Sequence, residues 1–142
     1  MTKQTDTIAL IGRILIAVLF ILSGIGKVAA PAVTQTYIAS AGIPAPVLAY
    51  FGSTTVELFG SLLLIAGFRV RTVAAGMTVY TLLTAVFFHT HFADHNQMIN
   101  FWKNIAIMGG LLQVTAFGAG RFTVDRLFNR NAAPAGRLAS QN

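Results

Sequence analysis

The 142-residue sequence contains no cysteine and few charged residues of any kind. Without a thiol the chain has no route to disulfide exchange, to haem attached through a Cys-x-x-Cys-His motif or to Cys-ligated metal and iron–sulfur centres. Charged residues make up 10% of the chain, whereas a soluble domain carries about a quarter. This shortfall excludes a surface that faces water on all sides.

Acidic residues are especially scarce, since four Asp and Glu stand against ten Lys and Arg and give a net charge of +6. In a soluble protein this balance would point to nucleic acid. Here four of the seven arginines fall in the last 22 residues, beyond the apolar part of the chain. The sequence therefore predicts contact with an anionic membrane surface and no nucleic-acid partner.

Long apolar runs dominate the rest of the chain, in which 55% of the residues are hydrophobic. Crossing a hydrocarbon core of roughly 30 Å takes about 20 residues, and four runs approach or exceed that length. Backbone groups in lipid must be hydrogen-bonded within their own segment, so each run predicts a helix. The predicted fold is an all-α membrane protein, a bundle of four transmembrane helices with spans at about 8–27, 47–68, 72–92 and 101–119.

Basic residues near the span ends predict the orientation. The N-terminal end, the second loop and the tail carry most of them, whereas the first and third loops carry only Lys27 and Lys103. By the positive-inside rule, both chain ends are predicted to be cytoplasmic. Arg13 and Lys27 argue against reading the first run as a cleaved signal peptide.

The spans predict one domain over residues 1–128, followed by a disordered cytoplasmic tail over residues 129–142 that is rich in Ala, Gly, Asn and Arg. Residues 28–46 form a semi-apolar first outer loop. This loop either lies on the outer face or dips back into the bundle.

Glu57 is the most informative polar residue, because it lies close to the middle of the second run. A carboxylate at that depth costs several kcal/mol unless it is paired, protonated or hydrated, so it should face the bundle interior. It is either a proton acceptor or ligand anchor, or a packing pair that fixes how the helices meet. Arg13 is its predicted partner, since the two differ by about 8 Å in depth; alternatively Arg13 extends to the cytoplasmic head groups.

Further polar residues gather at the outer ends of the spans. The ligand-binding and proton-relay candidates are Glu57 and Arg13 together with Lys27, His89, Lys103 and Asn104. Thr78 and Thr81 would continue a polar lining inward from His89. From composition alone, the two lysines are better explained as interfacial anchors.

The three histidines suggest a metal site only weakly. His89, His91 and His95 fall within seven residues, with Asp94 as a further oxygen donor. Rings in a His-x-His pair on a helix end point about 200° apart, however, and no residue fixes a coordination geometry. No metal is therefore predicted, and His89 is expected to exchange protons or to form hydrogen bonds.

Taken in order, these residues resemble the DoxX family of small bacterial inner-membrane proteins. The resemblance runs from Gly12 to about Arg126. It rests on an ordered set of short segments: Gly12-Arg13, Ser23-Gly24-x-Gly26-Lys27, Gly42-Ile43-Pro44, Glu57-x-x-Gly60, Gly67-Phe68-x-x-Arg71, Phe88-His89, Asn100-Phe101-Trp102-Lys103-Asn104, Gly109-Gly110 and Gly118-x-Gly120-Arg121. It implies a multi-pass four-helix bundle in the inner membrane, with Lys27, Glu57, His89, Lys103 and Asn104 in one recurring set.

The resemblance also implies a link to membrane redox chemistry, since the family takes its name from subunits associated with quinone-dependent oxidoreductase complexes. The expected function is a redox-linked accessory subunit that binds a quinone-like or other small molecule, with Phe87, Phe88 and Trp102 as apolar walls. No cofactor is expected to be intrinsic, and quinone is the candidate ligand. The expected partners are the lipid bilayer, redox proteins and further copies of the chain. A non-catalytic scaffold and a small proton-coupled transporter are the alternatives, and whether the chain is catalytic stays open.

Overall fold

The computed structural model describes residues 3–125, so the predicted tail at 129–142 lies outside the described residues. Within that range the chain is all-α and contains no strand. Its five helices are α1 (Lys3–Ala29), α2 (Pro31–Ser40), α3 (Pro46–Ala66), α4 (Val70–Phe88) and α5 (His95–Phe117).

The four long helices run alternately up and down and close into a bundle. α1 packs on α3, α3 on α4, α4 on α5, and α5 returns to α1. Each neighbouring pair is antiparallel: the late α1 residue Lys27 meets Glu57 while the early residue Arg13 reaches Leu64. Similarly, His89 at the end of α4 meets Gln97 at the start of α5.

Three helices are long and apolar enough to cross a membrane, namely α1, α3 and α4. α5 has 23 residues and so is about 35 Å long, sufficient to span, but polar residues dilute its first turns. The observed helices also shift the predicted bounds, because α1 begins near residue 3 and α4 ends at Phe88. The four-span count and the orientation stay predictions.

The exterior of the bundle is apolar around the helices. Large hydrophobic side chains are widely exposed, among them Leu15 at 67% and Leu48 at 74%. The buried core is small by comparison and consists of Ala17, Phe20, Leu64, Ala74, Met77 and Leu111. A bilayer solvates such an exterior, whereas water would penalise it by roughly 25 cal/mol per Å² of apolar surface. Several polar side chains, among them Arg13 and Glu57, are instead buried in the interior of the bundle.

Arg13 fastens α1 to the end of α3. Its side chain is fully buried, and its Nη1 donates to the carbonyl oxygen of Leu64 at 3.0 Å while Nη2 donates to that of Phe122 at 2.8 Å. The last carbonyls of a helix have no partner within the helix, so a buried α3 end needs an external donor. Gly67 follows directly in the left-handed region, and a Cβ there would lie 2.9 Å from Arg13 Nη1. The absence of a side chain at Gly67 therefore lets the Arg13 guanidinium reach the carbonyl oxygen of Leu64.

The first loop contains a helix that the sequence did not predict. α2 has Pro31 at its first position and lies across the end of the bundle, where it packs chiefly on α3. Ile38 is buried, and the Tyr37 ring stacks on Phe88 with centroids 5.1 Å apart. The loop therefore packs against the bundle, and its placement on the outer face or back into the bundle stays a prediction.

We expect Gly24→Ala to destabilise the bundle, whereas Gly26→Ala is harmless. A Cβ on Gly24 would lie 2.7 Å from Leu58 Cδ2 and 3.4 Å from Glu57 Cβ, so either the Leu58 side chain or the two helices would have to shift. Overpacking of this kind costs about 1–3 kcal/mol. A Cβ on Gly26 meets nothing within 4 Å, and Ala is the better helix former.

Thermal unfolding of both variants in the same detergent measures the difference. Equal midpoints for the two variants would contradict the close α1–α3 contact.

Candidate functional site

A cluster of hydrogen bonds between α1, α3 and α4 is centred on the Glu57 carboxylate, whose side chain is 4% exposed. Lys27 Nζ pairs with Glu57 Oε1. The Tyr80 hydroxyl donates to the same oxygen at 2.6 Å, and Ser23 Oγ donates to it at 3.1 Å. Lys27 Nζ also donates to the Tyr80 oxygen at 3.0 Å. Three donors from two helices therefore neutralise and orient one buried carboxylate oxygen.

The other carboxylate oxygen of Glu57 has no such donors among the described residues. Glu57 Oε2 is buried and accepts no hydrogen bond from any residue in 3–125. An acceptor left unpaired in a low-dielectric interior costs about 1–3 kcal/mol, and more when the group is charged. Glu57 therefore has capacity for one further donor, either a proton on Oε2 or a hydroxyl or N–H group of a ligand.

A cavity of about 490 Å³ opens beside this cluster and is called the Glu57 cavity here. Lys27, Glu57 and Tyr80 supply its polar end, together with Ser23 and Ser53. Most of its remaining wall is apolar and comes from α2, the loop after it, α3 and α4, including Tyr37, Ile38, Ile43, Leu83, Phe87 and Phe88. The cavity thus combines a small polar region with a large apolar one, the usual character of a small-molecule site.

The structure brings together half of the predicted site residues. Lys27, Glu57 and His89 line the same cavity. His89 is half-buried, and its Nδ1 lies 2.8 Å from Gln97 Oε1. Imidazole nitrogens both donate and accept hydrogen bonds, so His89 can relay a proton between the cavity and its rim.

The other three predicted residues lie elsewhere. Arg13 binds backbone carbonyls near the opposite end of the bundle, so the predicted Arg13–Glu57 pair is wrong, as is the alternative that Arg13 extends to head groups. The depth argument failed because Lys27, closer to the mouth on the same helix, bends inward and reaches the carboxylate first. Lys103 is exposed, and Asn104 donates its side-chain amide to the carbonyl of Asn100 within α5.

Several further expectations about the polar lining change. Thr78 and Thr81 are buried and donate to carbonyls of their own helix, so the lining near His89 comes from Tyr80 and Thr84 instead. Trp102 is 61% exposed and is not among the walls of the cavity.

The histidines are not assembled around a metal position. Residues 3–125 contain no group of three His, Cys, Asp or Glu side chains that could hold a metal ion. Asp94 instead caps α5, since its side chain accepts from the Asn96 backbone N–H at 2.8 Å.

Tyr80 and Ser23 are the functional candidates that the sequence reasoning missed. Ser23 lies four residues before Lys27, and Tyr80 four before Thr84 and seven before Phe87, which puts each on one helical face with a residue that lines the cavity. That spacing was the available signal. What it does not reveal is which face of α4 turns toward α3.

Comparison with known proteins identifies the family of the chain. The DoxX family model matches residues 8–90, which is more than half of the chain. The chain belongs to the DoxX family. The matched segment contains Lys27, Glu57, Tyr80 and His89, whereas Lys103 and Asn104 lie beyond it.

Two relatives from Escherichia coli strain K12 extend this DoxX assignment along the chain. Inner membrane protein YqjF is 38% identical over 130 residues, which cover 92% of this chain and 98% of the relative. Inner membrane protein YphA is 37% identical over 123 residues, which cover 82% of this chain and 87% of the relative. No solved structure matches the chain. This DoxX protein is therefore a multi-pass protein of the bacterial inner membrane.

We expect Lys27→Met to destabilise the protein and a second change, Glu57→Gln, to recover much of the loss. Removing one member of a buried pair leaves the other charge uncompensated, at about 3–5 kcal/mol for a fully buried pair. Because the Lys27 side chain is 21% exposed, solvent screening should reduce this to about 2 kcal/mol.

In the double variant, the amide side chain that replaces the carboxylate is neutral, and its oxygen still accepts from Tyr80 and Ser23. Unfolding in detergent at constant pH measures all four proteins of the cycle. If the two single effects simply add, Lys27 and Glu57 are not coupled in the folded protein.

Proposed function

We propose that this DoxX protein is a redox-linked accessory subunit of the inner membrane that binds a quinone-like molecule in the Glu57 cavity. The observation that supports it is the joining of a compact hydrogen-bonding end to an apolar wall within one cavity of about 490 Å³. Ligand sites commonly measure about 300–1,000 Å³ and combine a few placed polar groups with hydrophobic walls. A quinone head group with the first part of its tail has this shape and polarity.

The residues at the polar end suit both oxidation levels of such a ligand. Lys27 Nζ carries three hydrogens, of which two are used for Glu57 and Tyr80. Its third can be donated to a carbonyl oxygen. Glu57 Oε2 is buried and accepts no bond from residues 3–125, so a turn of the carboxylate toward the cavity would let it accept the hydroxyl hydrogen of the reduced form. When bound, a quinone supplies reversible electron and proton transfer.

Tyr37 and Phe88 give the ligand its apolar contacts at the opposite side of the cavity. Their stacked rings join α2 to the end of α4, and both line the cavity. A flat ring packed against such side chains loses its water and gains contact area. His89 stands next to Phe88, lines the same cavity and contacts Gln97 on α5, so it can exchange a proton with a ligand in the cavity.

The proposal assigns electron supply to a partner protein. The chain has no cysteine to hold an iron–sulfur cluster or a covalently attached haem. The DoxX protein would then position the quinone and handle its protons, while the partner exchanges the electrons.

We also propose four spans with both chain ends in the cytoplasm. α5 lies antiparallel along α4 and closes the bundle on α1, so it occupies the place of a fourth span. Arg69, Arg71 and Arg121 gather at the bundle end where α1 begins, and positive loops are typically cytoplasmic. The Glu57 cavity then opens toward the outer leaflet.

We expect the purified protein to retain quinone and the Lys27→Met and Glu57→Ala variants to lose it. A hydrogen bond to a charged group contributes about 1.5–3 kcal/mol, so each loss should lower quinone per protein about tenfold or more. Tyr80→Phe keeps the ring and its packing and removes one hydroxyl, so a smaller decrease is expected. Mass spectrometry of solvent extracts from detergent-purified protein gives the quinone content.

Lys103→Met is the matched control, because it removes an exposed lysine outside the cavity. Unfolding midpoints show that each variant is folded. Quinone content that is the same in all variants, or that falls equally with Lys103→Met, would contradict the proposal. The chain would then fit the scaffold alternative, in which Glu57 and Lys27 serve only to join α1 to α3.

A further inference from the structure

A second cavity, of about 620 Å³, lies at the other end of the bundle and is called the arginine cavity here. It is enclosed by the start of α1, the turn between α3 and α4, and the segment that follows α5. Three arginines line it: Arg69, Arg71 and Arg121. It shares no lining residue with the Glu57 cavity, and the proposed function makes no use of it.

The two acidic residues in this cavity are already engaged. Asp6 is 1% exposed, and its Oδ1 accepts from the Arg121 backbone N–H at 3.0 Å while Oδ2 lies 3.6 Å from Arg121 Nε. Asp125 Oδ2 accepts from the Arg69 backbone N–H at 2.7 Å. Both carboxylates therefore hold backbone in place.

The side chains of Arg69 and Arg71 form no ion pair with any residue in 3–125. Both residues are exposed at the cavity. Together with Arg121 they give the lining three positive side chains against two carboxylates, so the lining residues carry a net positive charge.

Two backbone features reinforce this positive character. α4 begins at Val70 inside the cavity lining, and the side chain of its N-cap residue, Arg69, forms no capping hydrogen bond. Its helix dipole and its free N–H groups favour an anion there. Gly118 has a φ of +78°, and a Cβ on it would lie 3.3 Å from Arg71 Nε. Glycine at this position lets the Arg71 guanidinium lie close against the α5 end, beside the start of its own helix.

We propose that the arginine cavity binds a phosphate group. Arg69 and Arg71 bind it through charge-assisted hydrogen bonds, for which a guanidinium is well suited because its N–H groups are arranged as a planar fork. The start of α4 supplies backbone donors to the same anion.

The position of the cavity along the membrane normal favours a lipid head group as the source of the phosphate. Arg69 and Arg71 lie at the start of α4, where a membrane-spanning helix leaves the hydrocarbon layer. Basic pockets between transmembrane helices bind phospholipid head groups in this layer. A soluble phosphorylated compound presents the same chemistry, so the test separates the two sources.

The test measures the unfolding midpoint of the full chain in detergent against two probes. One probe is phosphatidylglycerol in mixed micelles, with phosphatidylcholine micelles as the comparison; the other is inorganic phosphate, with sodium chloride at equal ionic strength. We expect phosphatidylglycerol to raise the midpoint above that in phosphatidylcholine. Arg71→Gln and Arg69→Gln should each raise the half-effective lipid concentration about tenfold.

Lys103→Gln is the control, since it removes an exposed cation at the other end of the bundle and should leave the lipid effect unchanged. A rise with inorganic phosphate that is equally sensitive to Arg71→Gln supports the proposal with a soluble source. No rise with either probe would overturn it. So would a rise that survives both arginine substitutions, or one that Lys103→Gln abolishes to the same extent. Because neither arginine side chain forms an ion pair within residues 3–125, the variants are expected to fold, and the midpoint without probe verifies this.

Discussion

The buried Glu57 carboxylate is the constraint on which the arrangement of the helices depends. In the middle of a helix surrounded by apolar side chains, its negative charge is tolerable only with donors close at hand. Those donors come from two other helices, Lys27 and Ser23 on α1 and Tyr80 on α4. Meeting at one oxygen fixes the rotation and the height of α1, α3 and α4 relative to one another. Gly24 allows the approach, because any larger residue there would push Leu58 and α3 away from the lysine.

A second polar anchor makes the α1–α3 pairing unambiguous. Arg13 holds the end of α3 through its backbone carbonyls, while Lys27 holds the middle of α3 through a side chain. The two anchors are about 21 Å apart along α1. One contact alone would permit the helices to pivot about it, whereas two at that separation fix their crossing angle. Apolar packing specifies the relative orientation of the two helices less strongly, since lipid tails and neighbouring helices are similarly apolar.

The sequence predicted the all-α class, the long apolar helices and the inward position of Glu57, because each follows from the cost of polar groups in hydrocarbon. It predicted the wrong partner for Glu57. Lys27 sits at the end of its run, where a lysine usually extends to water, and nothing local shows that it turns inward. α2 was missed because ten residues with small, mixed side chains carry little periodicity, and its helix depends on contacts with α3 and Phe88. Lys103 and Asn104 were grouped with the site by their place at the outer end of the fourth span and by resemblance, and the structure leaves them on α5 outside the cavity.

The same cost of polar groups in lipid explains why this small bundle has two cavities of opposite character. Its exterior is given over to apolar side chains that lipid can solvate, so nearly every polar group must gather inside or at an end. At the Glu57 end, charges compensate one another in the interior, and what remains is a hydrogen-bonding capacity suited to a neutral ligand with an apolar body. At the other end, the acids accept from backbone N–H groups, and the side chains of Arg69 and Arg71 form no ion pair within residues 3–125, which suits an anion in the head-group layer. Since Arg13 and α3 connect the two ends, an anion that orders the arginine cavity would also steady the helix that carries Glu57.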